Sequence, residues 1–308
     1  AADLIIRCDL DRARFPDVAR QKAINWMCYM IHKVPWHTAE DYARGDVELL
    51  GLCIDQLAGV GKTQEAVALY CRHENGGLDE ILRPATLTHI KEACNGGCPF
   101  PPPDSFKPHE ASALRLPLPE TAVAWVDTPE AVAAAAACMA RAPIVGVDLE
   151  WSSYGDWLDP TLALLQLATP DQVFLVDLAA ESVQEAVEAL LRVLLGGEQP
   201  LALCFSFEND IRELGRSRWA SASRQCRGLC DLQLLKSGRN GATSGDKEGL
   251  SSLVKRTLGS PLCKAEQRSY WHRRPLRAAQ LHYAALDAFV LLQVGAAIAG
   301  ASLEDPKL

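Results

Sequence analysis

The chain lacks the features of a membrane-spanning or disulfide-built protein. No fully apolar run approaches the roughly 18 residues that suggest a membrane span, so no membrane partner is expected. No basic stretch followed by an apolar segment opens the sequence, so no secretory signal is expected. The first residue is Ala, and nothing follows from that about any segment ahead of it. An excess of positive charge is also missing: 31 Lys and Arg stand against 39 Asp and Glu, a formal net charge of −8. This excludes a surface coated all over for nucleic-acid binding but leaves room for a local basic groove. Cysteine is not scarce, but the 11 cysteines are odd in number and show no disulfide-scaffold spacing. A reducing intracellular compartment, cytoplasm or nucleus, is therefore expected. Cys94/Cys98 and Cys226/Cys230 have zinc-like spacing within each pair, yet the two pairs are far apart in sequence, and free thiols are the simpler reading.

What is present is enough for a sizeable core. With 308 residues, 48% hydrophobic and 23% charged, the chain accommodates two domains or one large one. Up to about residue 95 the apolar residues recur at three and four, as in "DVARQKAINWMCYMIHKV" and "DVELLGLCIDQLAGVGKTQEAVALYCRH". This predicts helices, with "GVGKT" as the turn of an α-hairpin; a helical-repeat domain is one form this takes. From Cys98 to Glu120 there are seven prolines in 23 residues, which predicts a stiff extended linker. Beyond it, "PIVGVDLEW", "TLALLQLAT", "QVFLVDL" and "PLALCFSF" read as strands and alternate with helical stretches. One of these helices begins with Thr128 as N-cap and Pro129 at its first position. The expected organisation is a helical domain over 1–97, a linker over 98–120, and an α/β domain over 121–308. In the last, a mixed sheet is covered by helices.

"AGVGKT" (Ala58 to Thr63) has the ending of a phosphate-cradling loop, but Gln56 occupies the place of the required first glycine and no strand precedes it. A helix–helix turn accounts for it. The acids of the second domain are more informative. Asp148 and Glu150 close the strand "IVGVDLEW" two residues apart, so their side chains share a face with Cα atoms roughly 7 Å apart. Such a pair is either an exposed strand end or a site where a cation or proton separates the charges. Asp210 lies in the first turn of a helix after the next strand, in "CFSFENDIREL". Asp287 is flanked by apolar residues in "LHYAALDAFVLL", and a carboxylate there needs a partner or a metal. Tyr283 lies four residues earlier on the same helical face.

In order and separation, "VGVDLEW", "FSFENDIREL" and "HYAALDAFVLL" resemble the three motifs of the DEDD 3′–5′ exonucleases, which have an RNase H-like fold. "S-x-W" and "R-P-L" ahead of the last motif are similar to the ribonuclease D and Werner exonuclease branch. The helical domain and Pro-rich joint resemble the mutator-class exonucleases. The resemblance covers about residues 120 to 300. It implies that Asp148, Glu150, Asp210 and Asp287 bind two divalent cations, Mg²⁺ or Mn²⁺. Oxygen-rich carboxylates suit such hard ions, and a two-ion site suits phosphodiester hydrolysis. Within this superfamily the last motif carries either Tyr four residues before Asp or His five before it. "HYAALD" offers both, and its context places it in the tyrosine branch, with Tyr283 catalytic and His282 at the surface or substrate side.

From Ser251 to Gln280, seven Lys or Arg face one acid, Glu266. Among them Lys264, Arg268, Arg273 and Arg274 are candidates for phosphate contact, although a solvated basic face has the same appearance. Trp151 and Tyr154 suit either base stacking or the core. The expected function is metal-dependent 3′–5′ hydrolysis of single-stranded nucleic acid, RNA in preference to DNA. The helical domain is a candidate surface for a protein partner. The rival expectation is a non-catalytic binding module on a nuclease fold.

Overall fold

The computed structural model describes residues 14–33, 35–43, 45–74, 76–94, 97–100, 113–152, 161–197, 199–224, 226–235 and 248–301. Tyr154 and residues 101–112 of the Pro-rich stretch lie outside them. The chain forms two compact units. Among the described residues, one comprises those up to 100 together with Ser152 and Arg268–Arg277, and the other comprises the rest.

The first unit contains α1 (Pro16–Met30), α2 (Trp36–Ala43), α3 (Val47–Gly59), α4 (Thr63–His73), α5 (Leu78–Ile81) and α6 (Pro84–Ala93). The expected hairpin is α3–α4, with Gly61 in the turn at φ 78°. Asp46 caps α3 by accepting the Glu48 and Leu49 amides, which satisfies two donors that have no partner within the helix. Met27, Ile54, Leu57, Leu69, Leu78 and Ile90 fill the core between the helices. Tyr270, from a distant part of the chain, belongs to the same core. Its neighbours in sequence are also tied in: the Tyr42 hydroxyl donates to the Ser269 carbonyl at 3.3 Å, and Asp41 pairs with Arg273 at 3.1 Å and with the buried Arg277.

The second unit is built on a six-stranded mixed sheet in the order β1-β4-β3-β2-β5-β6. The strands are β1 (Val123–Val126), β2 (Ile144–Ser152, whose last residue belongs to the first unit), β3 (Thr161–Ala168), β4 (Val173–Asp177), β5 (Leu201–Cys204) and β6 (Leu229–Asp231). β1 pairs parallel with β4, β3 antiparallel with β4, and β2, β5 and β6 run parallel. The helices are α7 (Pro129–Met139), α8 (Gln184–Gly196), α9 (Glu208–Arg216), α10 (Ala220–Ser223), α11 (Leu250–Leu258) and α12 (Ala278–Ala299). Thr128 caps α7 by accepting the Ala131 amide, with Pro129 at its start, as the sequence predicts. Val145, Val147 and Leu149 point from β2 into a core with Val132, Leu190 and Leu194 of α7 and α8. By strand alternation Gly146, Asp148 and Glu150 face the other way, toward α12.

α12 packs on β3, β4 and β5. It is long and apolar enough to cross a bilayer, but most of its apolar stretch is buried inside the fold, which accounts for that composition. It lies so close to β2 that a Cβ at Gly146 would stand 2.0 Å from the Ala288 carbonyl oxygen. On α12 itself, a Cβ at Gly295 would meet Leu203 of β5 at 2.5 Å. The Leu203 side-chain end can move aside, so Gly146, which faces backbone, is the glycine that sets the distance between the helix and the sheet. Gly146→Ala is expected to force backbone against backbone and lower stability by about 1–3 kcal/mol. Its chemical denaturation midpoint should fall accordingly.

Candidate active site

Asp148 and Glu150 reach the site because β2 alternates, and Asp287 because α12 crosses the same face of the sheet. One carboxylate oxygen from each of the three lies within 4.8 Å of the others. Among the described residues this is the one group of three or more metal-ligating side chains so close together, so the paired cysteines do not form another. Asp148 and Glu150 keep partial solvent exposure, and Asp287 and Asp210 are buried. The exposed-strand-end reading of the acidic pair therefore fails: both acids face another carboxylate.

The electrostatics follow from the packing. Burial pushes the Asp148 carboxyl up to about 7. Burial, followed by the charges of Asp148, Asp287 and Asp210, raises Glu150 well above the carboxylate range. Asp287 is raised by burial and by Asp148, against a hydrogen bond from Tyr283 and the charge of Lys264. Asp210 is raised by burial and then by the charge of Asp148, although its carboxylate lies outside the group of three. Bringing these acids together is unfavourable unless protons or cations intervene. The donors are all hard carboxylate oxygens, and this set fits Mg²⁺ or Mn²⁺.

Asp210 is positioned by a residue that sequence reasoning missed. Asp231, at the end of β6, accepts the Ser206 amide at 2.9 Å, the Phe207 amide at 3.0 Å and the Gln233 amide at 2.9 Å. Ser206 has φ 56°, a left-handed conformation that costs a non-glycine residue energy. The Asp231 carboxylate thus clamps the strained turn between β5 and α9 and sets the start of the helix that carries Asp210. Its signal in the sequence was slight, a single acid ending a three-residue strand.

The last motif offers two neighbouring rings, and the structure separates their tasks. The Tyr283 hydroxyl hydrogen-bonds to Asp287, and burial followed by the Asp287 charge raises its pKa. It therefore stays protonated and acts as a donor. The His282 Nε2 accepts the Leu116 backbone amide at 3.3 Å, which occupies its lone pair. Burial, then the Arg115 charge, also lowers the pKa of this ring.

The remaining candidates divide. Lys264 is exposed, and its charge reaches Asp287. Arg268 is exposed. Arg273 pairs with Asp41, and Arg274 donates to the carbonyls of Trp271 and Arg273 at 2.7 Å each. Arg277 is buried against Asp41, and Arg256 lies 3.4 Å from Glu248. Counting the basic residues from Ser251 to Gln280 thus overstates the charge free to meet a phosphate backbone. Trp151 is half-buried against the core of the second unit, which is the core reading of that ring.

These positions agree with what the chain resembles. The profile of the 3′–5′ exonuclease family matches residues 123–299, a stretch that holds all four acids and Tyr283. The human exonuclease mut-7 homolog is 33% identical over 205 residues, taking in 60% of this chain and 23% of its own length. Ribonuclease D of Nitrobacter hamburgensis is 28% identical over 173 residues, taking in 56% of this chain and 42% of its own. The chain therefore spans less than half the length of these relatives. The crystal structure of the Aedes aegypti Nibbler EXO domain superposes with a TM-score of 0.54 at 28% identity, covering 61% of this chain and 92% of that one. The expected RNase H-like fold and the resemblance to the mutator-class and ribonuclease D exonucleases are borne out: this chain belongs to the 3′–5′ exonuclease family.

Proposed function

We propose that this chain is an active, divalent-metal-dependent 3′–5′ exonuclease that hydrolyses single-stranded nucleic acid, RNA in preference to DNA. The observation that carries the reading is the convergence of Asp148, Glu150 and Asp287, with Asp210 in the same electrostatic cluster. The preference for RNA rests on the ribonuclease D relatives. Asp148, Glu150, Asp210 and Asp287 would hold two cations. When bound, such ions lower the pKa of water and stabilise charge on the attacking and leaving oxygens of a phosphodiester. Tyr283 keeps its proton and orients the attacking water rather than deprotonating it. Asp287, as acceptor of the Tyr283 hydrogen bond, holds that hydroxyl in place.

Asp148→Ala and Asp287→Ala are each expected to reduce hydrolysis of a 5′-labelled single-stranded RNA by about a hundredfold or more in Mg²⁺ or Mn²⁺. Removing one of several repelling acids should leave the metal-free fold as stable as the parent, or more so. Wild-type turnover in either variant would overturn the assignment of these acids, whereas a parent chain that hydrolyses no strand in Mg²⁺ or Mn²⁺ would be a non-catalytic module on a nuclease fold. A matched single-stranded DNA compared with RNA tests the preference.

Titration provides a further check. Asp148 has its folded-state pKa raised to about 7, against about 3.9 in an unfolded chain. Its contribution to stability is full below the unfolded value and lost as pH rises through the folded one. In EDTA the melting temperature is thus expected to fall between about pH 4 and pH 7. The rise in melting temperature on adding Mn²⁺ should be larger at pH 8 than at pH 5, because the ion binds deprotonated acids.

Tyr283→Phe should slow turnover by roughly ten- to a hundredfold while keeping the stabilisation by Mn²⁺. His282→Ala should be less impaired in kcat. The reverse order, read from steady-state rates of the two variants, would move the water-orienting role to His282.

A further inference from the structure

Ala113 to Pro119 end the Pro-rich stretch that the sequence reads as a spacer. Here Leu114, Leu116 and Leu118 are partly buried and Arg115 and Pro117 exposed, an alternation typical of a strand with one face covered. The backbone is fixed at two points: the Leu114 amide donates to the Pro261 carbonyl at 2.8 Å, and the Leu116 amide donates to His282 Nε2 at 3.3 Å. Between these anchors, the exposed Arg115 is one of the residues lining a cleft that is also lined by His282, Tyr283 and Asp287.

The guanidinium is near enough to His282 for its charge to disfavour protonation of that ring. Among the described residues it has no carboxylate partner. A polyanion approaching the four acids is repelled by them, and a cation at the rim offsets this. Arginine suits that place because its planar fork binds phosphate oxygens through two parallel hydrogen bonds.

We propose that Arg115 is a substrate-binding residue that grips a backbone phosphate of the single strand whose 3′ end lies at Tyr283 and Asp287. His282 acts as a positioning residue, holding the Arg115 segment through the Leu116 amide. The pinned end of the Pro-rich stretch is then one wall of the active-site cleft. This assignment rests on the exonuclease reading above.

The test is fluorescence anisotropy with a 5′-labelled single-stranded oligonucleotide, in EDTA, across a salt series, paired with steady-state hydrolysis in Mn²⁺. Arg115→Ala should raise Kd about five- to tenfold and reduce the salt slope by about 0.7, the value for one phosphate contact on a single strand. KM should rise with kcat held within about twofold, the melting temperature should not move, and Arg115→Lys should restore the salt slope but only part of the affinity. His282→Ala should shift KM in the same direction. If Arg115→Ala binds with wild-type Kd and salt slope, the assignment is overturned while the exonuclease reading stands. A fall in kcat with unchanged KM also overturns it. Wild-type protein that neither binds nor hydrolyses the strand would bring down both.

Discussion

The second unit is organised around the approach of α12 to β2, closer than any side chain would permit. At Gly146 the sheet presents bare backbone to the Ala288 carbonyl, and this contact puts Asp287 beside Asp148 and Glu150. Hydrophobic packing of α12 on β3, β4 and β5 supplies the force that brings like charges together. The acids alone would drive the helix away. Their raised pKa values express the same opposition, since packing has placed carboxylates where their charged forms are unfavourable. Asp231 supplies a second constraint, holding Ser206 in a strained conformation so that α9 starts where Asp210 can join the cluster.

Much of this was legible in the sequence because the informative residues act through local geometry. Strand alternation put Asp148 and Glu150 on one face, and helical spacing put Tyr283 and Asp287 on another. The cap of α7 was readable from Thr128 and Pro129 alone, because capping is decided within four residues. What escaped depended on partners remote in sequence. Asp231 does its work on amides 24 and 25 residues earlier. His282 and Tyr283 both met a motif spacing and the context favoured Tyr283, but the remote Leu116 amide that engages His282 left no sign in the sequence. The basic run misled for the same reason: the acid that takes up Arg273 and Arg277 is Asp41, more than two hundred residues away.

The Pro-rich stretch shows the limit of composition as a guide. Prolines remove donors and stiffen the chain, which suggests an extended segment, and the described residues 113–119 contain no helix. Composition does not say which of the remaining amides finds an acceptor. Leu114 and Leu116 do, and that pair of bonds turns the end of the stretch into part of the cleft wall.

The ion pairs of Asp41 span 232 and 236 residues of chain. The helical unit also takes Tyr270 into its core. Its covalent continuity therefore differs from its physical continuity. As the chain is synthesised, α1 to α6 emerge long before residues 268–277, so the first unit cannot complete its core until those residues are available. Closing so long a loop costs entropy that the pairing of Asp41 and the burial of Tyr270 must offset. The helices α1 to α6 thus have their core completed by residues made after most of the second unit.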